Sequence, residues 1–390
     1  MNRMTDRLYH HDSYVTAFRA TVTEASPDRQ RIYLDRTAFY PTSGGQPFDL
    51  GMLGGVPVTE VIDEGDRIAH VVNAPVHDIQ VTGSIDWARR FDHMQQHTGQ
   101  HLLSAVLLDL FNAPTVSFHL GAKSSTIDLG VPSLERSQIL KAEERANAIV
   151  FENRPVHVCF QHSSEDLGLR KPTEREGEIR IVEIQDLDRS ACGGTHVRAT
   201  GEIGPILIRK LDRMRGNLRL EFLCGMRAVG SARADYDALS EIGRSFSAPL
   251  EQAPALVAAQ IEKLQETEKT LRRSMSELAR FRGRELYAET QPGRDGIRRV
   301  IRKARSISED FRTEAQSFTS GEKSVFLAAA EETPSLLLAV SKDSGMNAGE
   351  VLKTVLASLG GRGGGSAAIA QGSLPSKDLL EPAIRRLMAE

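Results

Sequence analysis

Apolar and polar residues alternate through residues 15–88, the period of strands that bury one face. VTAFRATVTEA and RQRIYLDR carry the pattern most plainly, and GGVPVTEVIDE, RIAHVVN and IQVTGSID repeat it between Gly, Pro and Asp. Short strands at that spacing predict a small barrel or meander. From about residue 89 the period lengthens. Leu102, Leu103, Val106, Leu107 and Leu110 form a helical stripe, and LKAEERANAIVFEN (140–153) predicts a second amphipathic helix. PVHVCF, EIRIVEI, GPILIRKL and LRLEFLCG read as strands, completing an α+β segment that ends near Gly225.

Between about 250 and 290 the pattern is helical again. Ile261, Leu264, Leu271, Met275 and Leu278 follow a 3-4 spacing broken by Glu268, which suits one helix of an antiparallel hairpin or a short coiled coil. In the last hundred residues RRVIRKARSISEDFRTEAQSF reads as helix, SLLLAVSKD as strand and AGEVLKTVLASL as helix. GGRGGG (360–365) then breaks the chain before a short strand and the closing helix DLLEPAIRRLMAE.

A chain of 390 residues exceeds one compact core. The patterns divide it into an N-terminal small β-barrel (1–88), an α+β segment (89–228), a helical coiled segment (229–290) and a C-terminal α/β glycine-rich module (291–390), an α+β fold overall. Its 40% hydrophobic and 26% charged content are those of a soluble globular protein. No apolar run is long enough for a signal peptide or a membrane span, so no membrane partner is expected. Cys159, Cys192 and Cys224 are far apart and odd in number, which points to a reducing cytosol and away from a disulfide framework.

A net charge of −3 advertises no nucleic-acid partner, so any such partner must be read from local patches. Lys269–Arg305 holds twelve Lys or Arg against four acids. That stripe suits RNA phosphates or a solvated helix face equally. RKLDRMRGNLR (209–219) adds Arg209, Lys210, Arg213, Arg215 and Arg219. GGRGGG serves either as a phosphate cradle of backbone N–H groups or as a flexible turn.

HMQQHTGQHLLSAV (93–106) places His93, His97 and His101 four residues apart, on one face of a helix. Alone, that spacing also fits an ordinary half-buried helix. Cys192-Gly-Gly-Thr-His196 supplies a second pair of donors in a loop whose glycines permit a tight backbone. Helical His-x3-His with a loop Cys-x3-His offers the nitrogen and sulfur ligands that Zn²⁺ prefers.

These motifs carry a family resemblance. AFYPTSGGQPFDLG (38–51), HTGQHLLSAVL, CGGTHV and GEIGPILIRKLDRMRGNLRLEFLCG (201–225) resemble, in the same order along the chain, the signatures of the editing domain of alanyl-tRNA synthetase and its free-standing relatives, the alanyl-tRNA editing proteins. The module holding GGRGGGSAAIAQG resembles that family's C-terminal domain, which certain phosphoesterases share. The resemblance spans nearly the whole chain, with its four signatures between 38 and 225.

The resemblance implies that His97, His101, Cys192 and His196 hold one zinc ion, with His93 outside the set and facing solvent, RNA or a neighbouring side chain. It implies hydrolysis of the ester joining serine, and glycine as a second substrate, to the 3′ end of tRNA(Ala). Because the chain opens on the β segment, no aminoacylation domain is expected and the editing should act in trans. Gln46, Thr98 and His119 are then the catalytic candidates. Thr42, Ser43, Gly44, Gly45 and Arg219 are the substrate-binding candidates, and Asp128 is a supporting group. The acceptor end of tRNA(Ala) is the implied partner, and pairing of two copies through the helical or C-terminal region is implied as well. Two other readings stand beside it: a tRNA-binding accessory protein with structural zinc, and a metal-dependent phosphoesterase. The second lacks the Asp-His-His cluster that two metals would need.

Overall fold

A computed structural model describes residues 4–174 and 176–389. The chain divides into two compact units, Met1–Glu241 and Ile242–Glu390. The first opens with β1 (Asp6–Arg7), the short α1 (Leu8–His11), β2 (Ala17–Ala25), β3 (Arg31–Leu34) and β4 (Arg36–Thr37). There follow β5 (Gly51–Leu53), β6 (Val56–Asp63), β7 (Ile68–Val72) and β8 (Gln80–Ile85). Six of these close into a barrel in the order β2-β3-β7-β6-β5-β8. Period-two alternation is what closes it: β8 is exposed and buried by turns, and Phe18, Ile32, Leu34, Val61, Ile68 and Val81 fill the interior. Gly83 is required where the Phe18 ring lies, since a Cβ there would stand 2.3 Å from it. His70 is enclosed by the barrel, with Nε2 2.8 Å from Thr37 Oγ1 and Nδ1 3.1 Å from the Ile32 carbonyl.

Next comes α2 (Trp87–Phe111), capped by the Asp86 carboxylate, which accepts from Arg89 N–H, and ended by Asn112 in the left-handed conformation. Residues 93–107 of α2 are buried all round. Such a helix belongs to the middle of a core. Its Leu102, Leu103, Val106 and Leu107 pack on two antiparallel sheets and on α3 (Arg136–Glu152). Each such side chain contributes about 1.5–3 kcal/mol on full burial. One sheet runs β14 (Ile206–Arg213), β15 (Leu218–Cys224), β10 (Ser125–Leu129), β9 (Thr115–Leu120). The other runs β11 (Val156–His162), β12 (Glu178–Ile184), β13 (Asp188–Ala191). Then α4 (Gly225–Ser245) carries the chain across the division between the units.

The second unit holds α5 (Ala253–Glu289), β16 (Arg298–Ala304), α6 (Glu309–Phe318), β17 (Ser324–Ala330), β18 (Ser335–Val340), α7 (Ala348–Ser358), β19 (Arg362–Gly365), β20 (Ile369–Ser373) and α8 (Leu380–Met388). The sheet order is β16-β17-β18-β20-β19. Val325, Leu327, Leu336 and Leu338 face a cluster with α7 and α8, while Phe326, Ala328 and Leu337 face one that includes Phe318 of α6. Both faces are covered, so the two central strands are apolar without alternation.

Two expectations are corrected here. The first third of RRVIRKARSISEDFRTEAQSF is a strand, because β16 pairs in parallel with β17 from Arg298↔Ser324 to Ala304↔Ala330, and that pairing overrides helix-forming side chains. GGRGGG is likewise no free turn. Arg362–Gly365 pairs with β20, and its glycines let α7 approach: a Cβ on Gly363 would meet Leu356 at 2.5 Å. The helix predicted at 250–290 is α5. Along it Ile261, Leu264, Leu271, Met275 and Leu278 are exposed.

Candidate metal centre

Helical spacing puts His97 and His101 on one side of α2, and the loop after β13 brings Cys192 and His196 against them. Gly194 makes the approach possible, since a Cβ there would stand 2.2 Å from the His97 ring. One donor atom from each of His97, His101, Cys192 and His196 lies within 4.8 Å of every other. Cys192 Sγ is 3.5 Å from His97 Nε2 and 3.3 Å from His196 Nε2. Ordinary Zn–N and Zn–S bond lengths place tetrahedral ligands about 3.3–3.8 Å apart, so the donor set and its spacing fit that ion.

The second nitrogen of each imidazole is committed elsewhere. His97 Nδ1 meets Gln46 Oε1 at 2.8 Å, and Gln46 is fixed in turn by Thr195, through Nε2 to Oγ1 at 2.8 Å and Thr195 N to Oε1 at 3.2 Å. His196 Nδ1 meets Thr98 Oγ1 at 3.1 Å. That hydroxyl gives its proton to the Met94 carbonyl at 2.8 Å, so His196 must be the donor to it. His101 Nδ1 donates to Asp188 Oδ2 at 3.0 Å, and Asp188 also accepts from Arg170 Nε at 2.5 Å and from Ser190 Oγ. Each ring then has Nε2 as the nitrogen it can offer a cation, and outer partners of this kind set ring orientation and ligand basicity.

Electrostatics favour the same outcome. Burial opposes a Cys192 thiolate, but His97, His196 and His101 outweigh it and hold the thiol well below its usual range. Gly194 N–H also donates to Sγ at 3.4 Å. Burial, reinforced by His97, pushes His196 down to about 3, so it is neutral. Burial works against a charged His101 too, yet its bonds to Asp188 and Cys192 raise it to about 9. A cation binding here must therefore displace a proton from His101.

Beside the cluster lies a pocket of about 650 Å³. Tyr9, Tyr40, Ser43 and Gly44 form the wall on the barrel side, Gln100 belongs to α2, Thr115–Phe118 come from β9, and Arg170–Thr173 from the loop before β12. Ser43 and Gln46 exchange backbone hydrogen bonds of 3.1 and 2.9 Å around Gly44 and Gly45, both at positive φ. Gly45 lies under the Phe118 ring, 2.9 Å from where a Cβ would be.

Among the sequence-predicted residues, Ser43 and Gly44 line this pocket, and Gly45 packs behind it. Gln46 and Thr98 are buried and spend their polar atoms on His97 and His196. Thr42 is exposed outside the wall, its Oγ1 accepting from Phe48 N–H at 3.2 Å. His119, two residues beyond Ser117 on β9, is exposed and is not among the residues that line the pocket. Arg219 is bound to Asp128 at 2.7 and 2.9 Å, and Asp128 accepts from Ser117 Oγ of the wall at 2.7 Å, so Arg219 reaches the pocket only through two side chains. His93, expected to face solvent, RNA or a neighbouring side chain, is 2% exposed, and its Nδ1 has no partner among the described residues. The basic run 209–219 is partly neutralised: Arg209 pairs with Asp235 and Lys210 with Asp212. Pattern reasoning missed Asp188, Thr195, Arg170 and Gln100. Strand parity offered one signal, since Asp188 and Ser190 share a face of β13.

The chain matches the family model described as the threonyl and alanyl tRNA synthetase second additional domain over residues 179–221, which include Cys192 and His196. It matches the DHHA1 domain over residues 313–389. The alanyl-tRNA editing protein AlaX-L of Pyrococcus horikoshii is 31% identical over 98% of both chains. The alanyl-tRNA editing protein Aarsd1-B of Xenopus laevis is 34% identical over 64% of this chain and 61% of its own. An alanine–tRNA ligase of Pyrococcus abyssi is 29% identical over 98% of this chain, which spans 43% of the ligase. Similarity that runs end to end through an editing protein, over the segment that carries the metal cluster and pocket, leads to one conclusion: the chain belongs to the family of alanyl-tRNA editing proteins.

Proposed function

We propose that this aminoacyl-tRNA hydrolase removes serine, and secondarily glycine, from tRNA(Ala) at the pocket beside His97, His101, Cys192 and His196, with one zinc ion held by those four residues. The observation that carries it is the convergence of three imidazoles and a thiolate on one point of the wall, each imidazole with its outer nitrogen already fixed. The need is physical: an alanine pocket cannot strongly reject an amino acid that adds one hydroxyl or lacks one methyl, so a second hydrolytic sieve restores accuracy. Zinc, when bound, supplies a Lewis acid that can polarise an ester carbonyl, acidify a water or hold an amino group.

Each residue then has a stated task. Gln46, Thr98 and Asp188 are positioning residues for His97, His196 and His101. Ser43 and Gly44 shape the barrel side of the pocket, and Val116 and Phe118 give it an apolar wall from β9. Arg219 orders Ser117 through Asp128. Arg213 and Arg215, near the turn between β14 and β15 and in no ion pair among the described residues, face the acceptor end of the tRNA. The exposed apolar stripe of α5 pairs two copies of the chain.

A second reading is favoured by the ligand count itself, because four protein ligands form the closed shell typical of structural zinc. One assay separates the two. Seryl-, glycyl- and alanyl-tRNA(Ala) are offered to the protein with and without a chelator, while circular dichroism follows the fold. Loss of seryl-tRNA hydrolysis with the fold intact supports the proposal. Loss of activity together with the fold supports structural zinc, and full activity without metal overturns both.

A further inference from the structure

Gln100 stands between the ligands His97 and His101 on α2 and lines the pocket, yet it is only 2% exposed. One end of its carboxamide is tied down, since Nε2 donates to Ser104 Oγ at 2.8 Å. Thr115 Oγ1 donates to the same Ser104 oxygen at 2.6 Å and so braces the arrangement from β9. The other end is unused: Gln100 Oε1 has no hydrogen-bond partner among the described residues. A buried acceptor left without a donor is costly, and the side chain that carries this one lines the pocket.

We propose that Gln100 Oε1 reads the side-chain hydroxyl of the misacylated amino acid, and is the residue by which the pocket separates seryl from alanyl esters. This rests on the proposed hydrolysis of seryl-tRNA(Ala). The chemistry of the surroundings selects the donor. An α-ammonium carries a full charge and three donors, and calls for a carboxylate or several acceptors. Thr115 adjoins Gln100 through Ser104, and Val116, Ser117 and Phe118 continue β9 along the wall without a carboxylate. The carboxylate lining the pocket, Asp63, is held by Arg7 through two bonds of 2.8 Å. A neutral, singly available oxygen matches a neutral O–H. Gln100 lines the same pocket as His97, His101 and Cys192, where the proposed reaction puts the acyl group. Alanine, which has no hydroxyl, leaves that oxygen unpaired, and sites built around a hydroxyl discriminate in just this way.

The test replaces Gln100 by methionine, which keeps the side-chain length and removes the acceptor. The ratio of kcat/KM for seryl- over alanyl-tRNA(Ala) is measured in both proteins, with bound zinc and thermal midpoint as folding controls. The ratio should fall about five- to tenfold in Gln100→Met, the range expected for one hydrogen bond. An unchanged ratio in a variant that still binds zinc overturns the assignment while leaving the hydrolase intact. A native protein that hydrolyses neither ester overturns the hydrolase and the assignment with it. If Gln100→Met does not fold, inhibition of the native protein by free serine and by 2-aminobutyrate, which has CH₃ in place of OH, decides the matter. Serine should inhibit at least fivefold more strongly, and equal inhibition overturns the proposal.

Discussion

Gln46, in the turn that holds Gly44 and Gly45, places Oε1 2.8 Å from Nδ1 of His97 on α2, so a side chain from the barrel unit's glycine-rich loop sets the tautomer of a candidate metal ligand. Gln46→Ala removes that acceptor and frees the ring. Zinc affinity, measured by competition with a chromophoric chelator, should fall about 10- to 100-fold, as is usual when an outer partner of a ligand is lost. Gln46→Glu keeps an acceptor and should lose less. Unchanged affinity in Gln46→Ala would remove Gln46 from the positioning set.

A second link between the same regions is the ion pair of Asp49 and Arg90, both at 0% exposure. Arg90 Nε reaches Oδ1 at 3.0 Å, and the guanidinium also donates to the carbonyls of Ser13 at 2.8 Å and Ala38 at 2.6 Å. Arg90→Met leaves a buried carboxylate without its counter-charge. The expected cost is about 3–5 kcal/mol, read as a lowered thermal midpoint. Adding Asp49→Asn to that variant should recover part of the loss, because the two changes act on one contact.

His70 gives the barrel an acid-sensitive point. Burial pushes it down to about 4, against an ordinary value of 6.5. Between those values the unfolded chain binds the extra proton and the folded one does not. Stability from this group is therefore complete above pH 6.5 and is lost as the pH falls from there toward 4. At pH 5 the loss is about 2 kcal/mol. Chemical unfolding at pH 7 and pH 5 should show a smaller difference in His70→Gln than in the parent; equal differences would mean that His70 is not the group responsible.

The barrel was legible because its strands obey a period of two and are punctuated by Gly, Pro and Asp, and α2 because its leucines repeat at helical spacing. The strand β16 was not legible. Its basic side chains favour a helix, and only the parallel partner β17, contributed from residues 324–330, makes it extended. The four candidate ligands could be named from two short motifs and a resemblance. The tasks of the residues around them could not. Gln46 and Thr98 look like pocket groups in sequence, yet their polar atoms are consumed within the protein. His119 is exposed and outside the pocket lining, and His93 is enclosed by tertiary packing that a helical wheel cannot foresee.

The turn between β14 and β15 offers a test of RNA contact. Replacing Arg213 and Arg215 together by alanine should weaken tRNA binding in a filter assay and lower the slope of log affinity against log salt by about one to two, the contribution of two phosphate contacts. A double variant with the parent's slope would place the RNA elsewhere.

The two halves of the candidate metal centre come from far apart in the chain, His97 and His101 on α2 and Cys192 and His196 after β13. A cation held by all four would be a reversible cross-link, closing a loop of about ninety residues that contains α3 and five strands. Ring closure on that scale is worth about 4–5 kcal/mol when the link is a disulfide. Metal supply would then govern how long the folded chain survives as well as whether it can act. In a reducing compartment the cell would have a staple that it can withdraw by chelation and that a reductant cannot cut.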